Sequence, residues 1–125
     1  SIALETGPEI LAGSTRLGAG TAQKVALNMI STQAGILLGH VHDGLMVNLK
    51  PDNIKLRRRA VQIVARIARV ADPAAQAALE ATGFDTKPAV LVAAGADLGA
   101  AQALLAQHKG RLGACLSALA EKPII

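Results

Sequence analysis

The chain has 125 residues, 51% of them hydrophobic, and its 13 lysines and arginines against 9 aspartates and glutamates give a net charge of +4. This length allows one domain, or one small domain with a fragment of another. Phe84 is the one aromatic residue and Cys115 the one cysteine. The first argues against a base-stacking platform for single-stranded nucleic acid, and the second excludes an internal disulfide or a cysteine zinc cluster. A core of Ala, Val, Leu and Ile favours close-packed helices, so we predict a mainly α fold.

The sequence shows neither of the patterns that send a chain into or across a membrane. No basic, apolar and cleavage-site pattern opens it, and no apolar run reaches about 18 residues. We therefore expect a cytoplasmic protein without a membrane partner.

Residues 1–50 are predicted to begin with a short strand at residues 1–4, followed by a Gly-Pro loop. A glycine-rich and hydroxyl-rich loop comes next, at residues 13–21. Apolar residues at helical spacing then predict a long helix over residues 21–38, with Thr21 or Ser14 as its cap. The segment from Gly39 to Gly44 interrupts that helix, and residues 45–47 form an apolar stretch of undetermined type.

Residues 51–71 are predicted to form an amphipathic helix that connects two parts of the chain. Pro51 with Asp52 or Asn53 supplies its start signals. At 100° per residue, one face is apolar and the opposite face is basic. The apolar face consists of Leu56, Ala60, Ile63, Val64 and Ile67, and the basic face of Lys55, Arg58, Arg59, Gln62, Arg66 and Arg69.

Residues 72–125 are predicted to form a small domain of three or four short helices that end at glycines. Asp72 is expected to cap the first of them, with Pro73 in its first turn. The expected helices cover residues 74–82, 88–94 with Thr86 as cap, 97–108 with Asp97 as cap, and 111–119.

The loop at residues 13–21 is the most informative segment for function. A glycine-rich turn before a helix exposes backbone amides to an anion, and the helix dipole adds positive potential. Ser14, Thr15 and Thr21 offer hydroxyls and Arg16 a positive charge. The loop is not a nucleotide P-loop, because Ala19 and Gly20 stand where Lys and Ser or Thr are required. The alternative is an ordinary loop before a capped helix.

Other candidate residues fit structural roles better than chemical ones. His40, His42 and Asp43 offer too few ligands for a structural metal, so we expect exposed loop histidines. His108 is expected to interact with the carbonyls of a helix end, and Cys115 to be a buried, inert thiol. The run of arginines at residues 57–59 is expected to be solvated, with an acidic partner or nucleic acid as the alternative.

One carboxylate lies close to the glycine-rich loop. Among the nine acidic residues, Glu9 lies nearest the glycine-rich loop. No pair of carboxylates in the sequence is placed for general acid–base catalysis. We therefore keep Glu9 as a candidate and assign no catalytic residue, metal or cofactor within the chain.

Residues 7–24, GPEILAGSTRLGAGTAQK, closely resemble the signature of the N-acetylmuramic acid 6-phosphate etherases. The likeness continues through residues 27–32, 38–39, 45–47 and 53–57, and through residues 78–83 and 87–89 in the helical tail. It spans nearly the whole chain. Animal glucokinase regulatory proteins carry a related version of the same motif.

The resemblance implies that residues 1–50 are the end of a sugar isomerase (SIS) α/β fold, which binds phosphosugars, and that the helical domain follows. Members of this family cleave the lactyl ether of N-acetylmuramic acid 6-phosphate and need no metal. The catalytic carboxylates would precede Ser1. Together with the physical argument, the resemblance makes Gly13, Ser14, Thr15 and Arg16 the expected substrate-binding residues.

Two departures from the family pattern bear on the ligand. The family usually has Lys where this chain has Gly18, and Lys-Val-Tyr-Gly-Asn where this chain has residues 40–44. Two functions are therefore weighed: the C-terminal part of a phosphosugar lyase, inactive without the preceding part, and a sugar-phosphate-sensing or helical interaction module. Because the helix at residues 21–38 is apolar on more than one side, we also expect a homo-oligomer.

Overall fold

The computed structural model describes residues 1–121 and shows a mainly helical chain, as predicted. It divides into two compact units, Ser1–Leu37 and the residues from Leu38 onward. The elements are α1 (Ala19–Leu37), β1 (Val41–His42), β2 (Leu45–Met46), α2 (Ile54–Ala68), α3 (Asp72–Ala81), α4 (Thr86–Ala93), α5 (Leu98–Gln107) and α6 (Leu112–Ala120). None of the helices among these residues is long and apolar enough to cross a membrane.

The first unit contains one helix, α1, which begins at Ala19, slightly before the predicted start. The predicted strand at residues 1–4 is wrong, because these residues form no strand in the described chain. A strand needs a neighbour to bond its backbone groups, and Ile2 is 80% exposed. No residue of α1 is buried.

The second unit opens with a two-stranded hairpin in which Val41 pairs with Met46 and His42 with Leu45. Asp43 and Gly44 form its turn, both with positive φ (46° and 72°). An Asp-Gly pair suits this turn because both central positions require a left-handed backbone. The apolar stretch of undetermined type at residues 45–47 is thus mostly strand.

The predicted apolar face of α2 packs against α3 and α4. Ala60, Ile63 and Val64 are buried on it, and they share one core with side chains from the four later helices. The fully buried members of that core include Val47, Leu79, Val90, Leu91 and Cys115. Residues 51–71 therefore lie in the same compact unit as the helices that follow. The division into domains 1–50, 51–71 and 72–125 stays a prediction about the intact protein, and residues 122–125 lie outside the described chain.

Side-chain caps fix two of the helix starts as predicted. The Asn53 side chain accepts from the backbone N–H of Leu56 at 2.9 Å, and Asp97 accepts from Ala100 N–H at 2.8 Å. Three other predicted caps are wrong. Neither candidate caps α1, because Thr21 lies inside the helix and the Ser14 hydroxyl accepts from Arg16 N–H. Ala71 is the cap of α3, so Asp72 lies in its first turn, and Asp85 occupies the cap position of α4.

Thr86 has a different role from the predicted one. It is fully buried in the first turn of α4, and its hydroxyl donates to the carbonyl of Leu49 at 2.7 Å. A buried hydroxyl needs a partner, and here that partner lies 37 residues earlier in the chain. The bond ties the segment after the hairpin to α4.

Candidate functional site

The glycine-rich loop of the first unit is held by backbone contacts on both sides of residues 14–16. Ser14 N–H donates to Leu11 O at 3.0 Å, and Gly20 N–H donates to Thr15 O at 2.7 Å. A Cβ on residue 20 would lie 2.8 Å from Thr15 O, which is closer than side chains approach backbone. Glycine at position 20 is therefore required for the loop to fold back on the start of α1.

Glu9 caps the beginning of α1. Its carboxylate accepts from Gly18 N–H, at 3.0 and 3.2 Å to the two oxygens, and from Ala19 N–H at 3.0 Å. These bonds, with the Ala19 amide first and Gly18 next, lower the pKa of Glu9 below its ordinary value. Helix N-termini favour negative charge, so the anion at this helix start is the protein's own carboxylate.

This arrangement changes the interpretation of the loop. The expected exposed amides at Gly18, Ala19 and Gly20 all have partners inside the protein. The sequence identified Glu9 only as the carboxylate nearest the loop. Its capping role went unnoticed because it lies nine and ten residues before the amides that it bonds, whereas the recognised capping patterns span about three.

The predicted substrate-binding side chains differ in what they have left to offer a ligand. Ser14 Oγ accepts from Arg16 N–H at 3.4 Å, which leaves its hydroxyl proton for another acceptor. Thr21 Oγ1 donates to Arg16 O at 3.4 Å, so its proton is used internally. Thr15 and Arg16 are exposed, and the salt bridges within residues 1–121 do not include Arg16. Hydroxyls and a guanidinium at residues 14–16 can together bind an anion.

Gly18, which stands where the resembled family usually has lysine, lies against the Glu9 carboxylate. A Cβ at this position would meet the Glu9 carboxylate at 3.3 Å from Oε1. That oxygen is the end of a flexible side chain, which can move by a few tenths of an ångström. A larger residue thus fits here with a small adjustment of Glu9.

In the second unit, three of the other candidate residues named from the sequence are histidines, two at the hairpin and one at the end of α5. The expectation of exposed loop histidines is wrong. His42 lies on β1 with its side chain 20% exposed and its Nε2 at 3.8 Å from Asp43 Oδ2. His40 is half-buried, and its carbonyl accepts from Val47 N–H at 2.8 Å. Within residues 1–121, no three His, Cys, Asp or Glu side chains come together as metal ligands. His108 is the C-cap residue of α5.

Cys115 and Arg57 both make contacts inside the protein that suit a structural role. Cys115 is fully buried, its Sγ lies 3.4 Å from Leu104 O, and burial raises the pKa of its thiol. The predicted burial of the thiol is confirmed, and its inertness stays a prediction. Arg57 stacks over Phe84, with its guanidinium carbon 4.6 Å from the ring centroid, while Arg58 and Arg59 are exposed.

Comparison with known proteins finds curated relatives that match most of the chain. No family model matches the chain. A protein of Serratia proteamaculans is 51% identical over 112 residues, which is 89% of this chain and 38% of the relative. A protein of Salmonella paratyphi B is 49% identical over 111 residues, or 88% of this chain and 37% of the relative. A third, from Salmonella schwarzengrund, is 48% identical over 111 residues.

All three relatives are named N-acetylmuramic acid 6-phosphate etherase. The chain spans less than two fifths of the length of the Serratia and Salmonella paratyphi B relatives. The chain is therefore homologous to part of an N-acetylmuramic acid 6-phosphate etherase, which confirms the family resemblance predicted from its sequence.

Proposed function

We propose that the chain is the C-terminal part of a cytoplasmic phosphosugar lyase used in peptidoglycan recycling. The reaction is cleavage of the D-lactyl ether of N-acetylmuramic acid 6-phosphate to N-acetylglucosamine 6-phosphate and D-lactate. The observation that carries this proposal is the 51% identity to a named etherase across 89% of the chain.

Within this enzyme, Gly13, Ser14, Thr15 and Arg16 bind the anionic part of the phosphosugar. The support is local: two exposed side chains, Thr15 and Arg16, lie beside a serine whose hydroxyl proton is free to donate. A charge-assisted hydrogen bond contributes roughly 1.5–3 kcal/mol, or about ten- to hundredfold in affinity. Recognition therefore relies on side chains of residues 14–16.

The isolated chain is expected to have no etherase activity. The resemblance implies that the catalytic carboxylates belong to a part of the enzyme that precedes this segment. The carboxylate kept as a candidate, Glu9, bonds backbone amides with both of its oxygens. That leaves it poorly placed for proton transfer to a substrate.

A chimera tests the proposal directly. The matched segment of the Serratia proteamaculans relative is replaced by this chain, and D-lactate release from N-acetylmuramic acid 6-phosphate is measured for the chimera, the intact relative and the chain alone. We expect turnover by the first two only. Substantial turnover by the chain alone refutes the inactivity of the fragment, and a folded chimera that neither binds nor cleaves the substrate refutes the proposed function.

The role of Arg16 is tested in the same chimera. Arg16→Ala is expected to weaken phosphosugar binding about ten- to hundredfold, and Ser14→Ala by less, with unchanged melting temperatures. Arg58→Ala, at an exposed arginine of α2, is the matched control and leaves affinity unchanged. Lost stability with unchanged affinity of the folded fraction would leave Arg16 only a structural role.

The alternative function is a sugar-phosphate-sensing or helical interaction module. The observation that favours it is the self-contained core of the second unit, which has its own buried side chains. A sensing module predicts binding without turnover in the chimera. The D-lactate assay combined with a binding measurement separates the two functions.

A further inference from the structure

The Glu9 carboxylate connects the segment before the proposed binding loop to the start of α1, which follows the loop. Its carboxylate makes three contacts of 3.0–3.2 Å with the N–H groups of Gly18 and Ala19. These bonds close residues 9–19 into a ring. Carboxylate bonds to backbone N–H groups are charge-assisted, and they are stronger than bonds between neutral groups.

The ring contains the residues assigned to phosphosugar binding. Inside it, Ser14 N–H bonds Leu11 O at 3.0 Å, and Arg16 N–H reaches Ser14 Oγ at 3.4 Å. Just beyond it, Gly20 N–H bonds Thr15 O at 2.7 Å. Hydrogen bonds on both sides thus hold the backbone of residues 14–16 in place relative to the first turn of α1.

The same bonds decide how a ligand is held. Three consecutive amides at the start of α1, those of Gly18, Ala19 and Gly20, donate to Glu9 or to Thr15 O. These amides are therefore already occupied, and a phosphosugar anion that approaches them competes with the Glu9 carboxylate. The side chains of residues 14–16 remain as its partners.

We propose that Glu9 is a positioning residue for phosphosugar binding, acting through the ring to hold Ser14, Thr15 and Arg16 where they meet the anion. This inference rests on the proposed function of the loop. Glu9 touches backbone amides and not the substrate, so its effect falls on KM. Misplacing binding groups by about 1 Å costs up to about a hundredfold, so we expect a KM increase of about ten- to hundredfold when the ring opens.

The pH dependence has a definite sign. The pKa of Glu9 is lowered, so the ring is fully bonded above the ordinary pKa of a glutamate and opens as pH falls through the lowered value. The KM of the chimera should rise in that same acidic window. The rise should follow the change in the NMR shift of the Gly18 amide, which reports Glu9 protonation directly.

The experiment compares Glu9→Gln, Glu9→Asp and Glu5→Gln in the chimera of this chain with the Serratia relative. Glutamine keeps the length but loses the charge, and aspartate keeps the charge but is shorter. Glu5 is an exposed glutamate of the same segment and serves as control. We expect Glu9→Gln to raise KM for N-acetylmuramic acid 6-phosphate about ten- to hundredfold with a smaller change in kcat. Glu9→Asp should restore part of the affinity, and Glu5→Gln should leave KM unchanged.

The outcomes separate this inference from the proposed function. If the unmodified chimera does not bind the phosphosugar, the proposed function fails. If it binds and Glu9→Gln binds equally well, the positioning role is overturned. Should Glu9→Gln not fold, the pH series on the unmodified chimera decides: a KM that stays constant while the Gly18 amide titrates overturns the inference.

Discussion

The two compact units contain similar apolar residues, but their first helices differ in whether these residues are buried. In the first, α1 has no buried residue, and Leu27, Met29 and Ile30 are each 59–67% exposed. In the second, α2 carries six Lys and Arg residues in or next to it, between Lys55 and Arg69, yet buries Ala60, Ile63 and Val64. Burial therefore follows from the arrangement of apolar residues and from available partners more than from their number.

The difference lies in how the apolar residues are distributed around each helix. In α2 they occupy one face, and the other face is charged, which is the pattern of a helix at the surface of a domain. In α1 they occur on several sides, which is the pattern of a helix buried in a larger core. We therefore expect α1 to be covered by further protein surface, such as a second copy of this chain.

The largest expected effect is a contrast between two leucines. Leu79 is fully buried, whereas Leu27 is 60% exposed. Leu79→Ala should lower the free energy of unfolding of the chain by about 2–5 kcal/mol, because it removes apolar contacts and leaves a cavity. Leu27→Ala should change it by less than about 0.5 kcal/mol. Urea denaturation of both variants at low protein concentration measures this; equal losses would show that α1 is packed as firmly as the core.

Self-association of the chain is expected to depend on the exposed side of α1. The large side chains Met29 and Ile30 are 67% and 59% exposed, and burying one such side chain contributes about 1.5–3 kcal/mol. Ile30→Lys should therefore weaken association about tenfold or more. Ile54→Lys is the control, since Ile54 is 74% exposed on α2. Light scattering over a concentration series tests this, and a strict monomer of the unmodified chain at high concentration contradicts it.

The hydroxyls of Thr86 and Thr21 show a second difference between the units, in burial and in hydrogen-bond length. The Thr86 hydroxyl is buried and bonds Leu49 O at 2.7 Å, whereas the Thr21 hydroxyl is exposed and bonds Arg16 O at 3.4 Å. Thr86→Val keeps the shape but leaves the part-buried carbonyl of Leu49 without its partner, at a cost of about 1–3 kcal/mol. Thr21→Val should cost less than about 0.5 kcal/mol. Thermal unfolding of the two variants decides; a Thr86→Val variant as stable as the unmodified chain would contradict the assigned bond.

The smallest expected effect concerns Gly18, which stands where the family usually has lysine. Gly18→Lys adds a positive charge beside the proposed binding loop, and an exposed charge interaction contributes about 0.2–1 kcal/mol. Affinity of the chimera for N-acetylmuramic acid 6-phosphate should therefore rise up to about fivefold. Gly18→Ala adds the same Cβ without the charge and is the control. Calorimetric titration measures both, and an equal gain with alanine would exclude the charge as the cause.

Local features of the sequence predicted much of the fold. The starts of α2 and α5 depend on Asn53 and Asp97, whose side chains bond an amide three residues ahead, so a short window contains the whole interaction. The role of Thr86 depends on a carbonyl 37 residues away, and that of Glu9 on amides nine and ten residues away. Such bonds are set by tertiary packing, which is why capping patterns assigned Thr86 wrongly and missed the function of Glu9.

Hydrogen–deuterium exchange on the 125-residue chain tests the central contrast most directly. The backbone amides of α2 and α4, which belong to the buried core, should exchange slowly. Those of α1 should exchange nearly as fast as an unstructured peptide at low concentration, because α1 has no buried residue and a helix with little tertiary packing is marginally stable. In the chimera with the Serratia relative, α1 should become protected. Strong protection of α1 in the monomeric chain, equal to that of α4, would contradict the account.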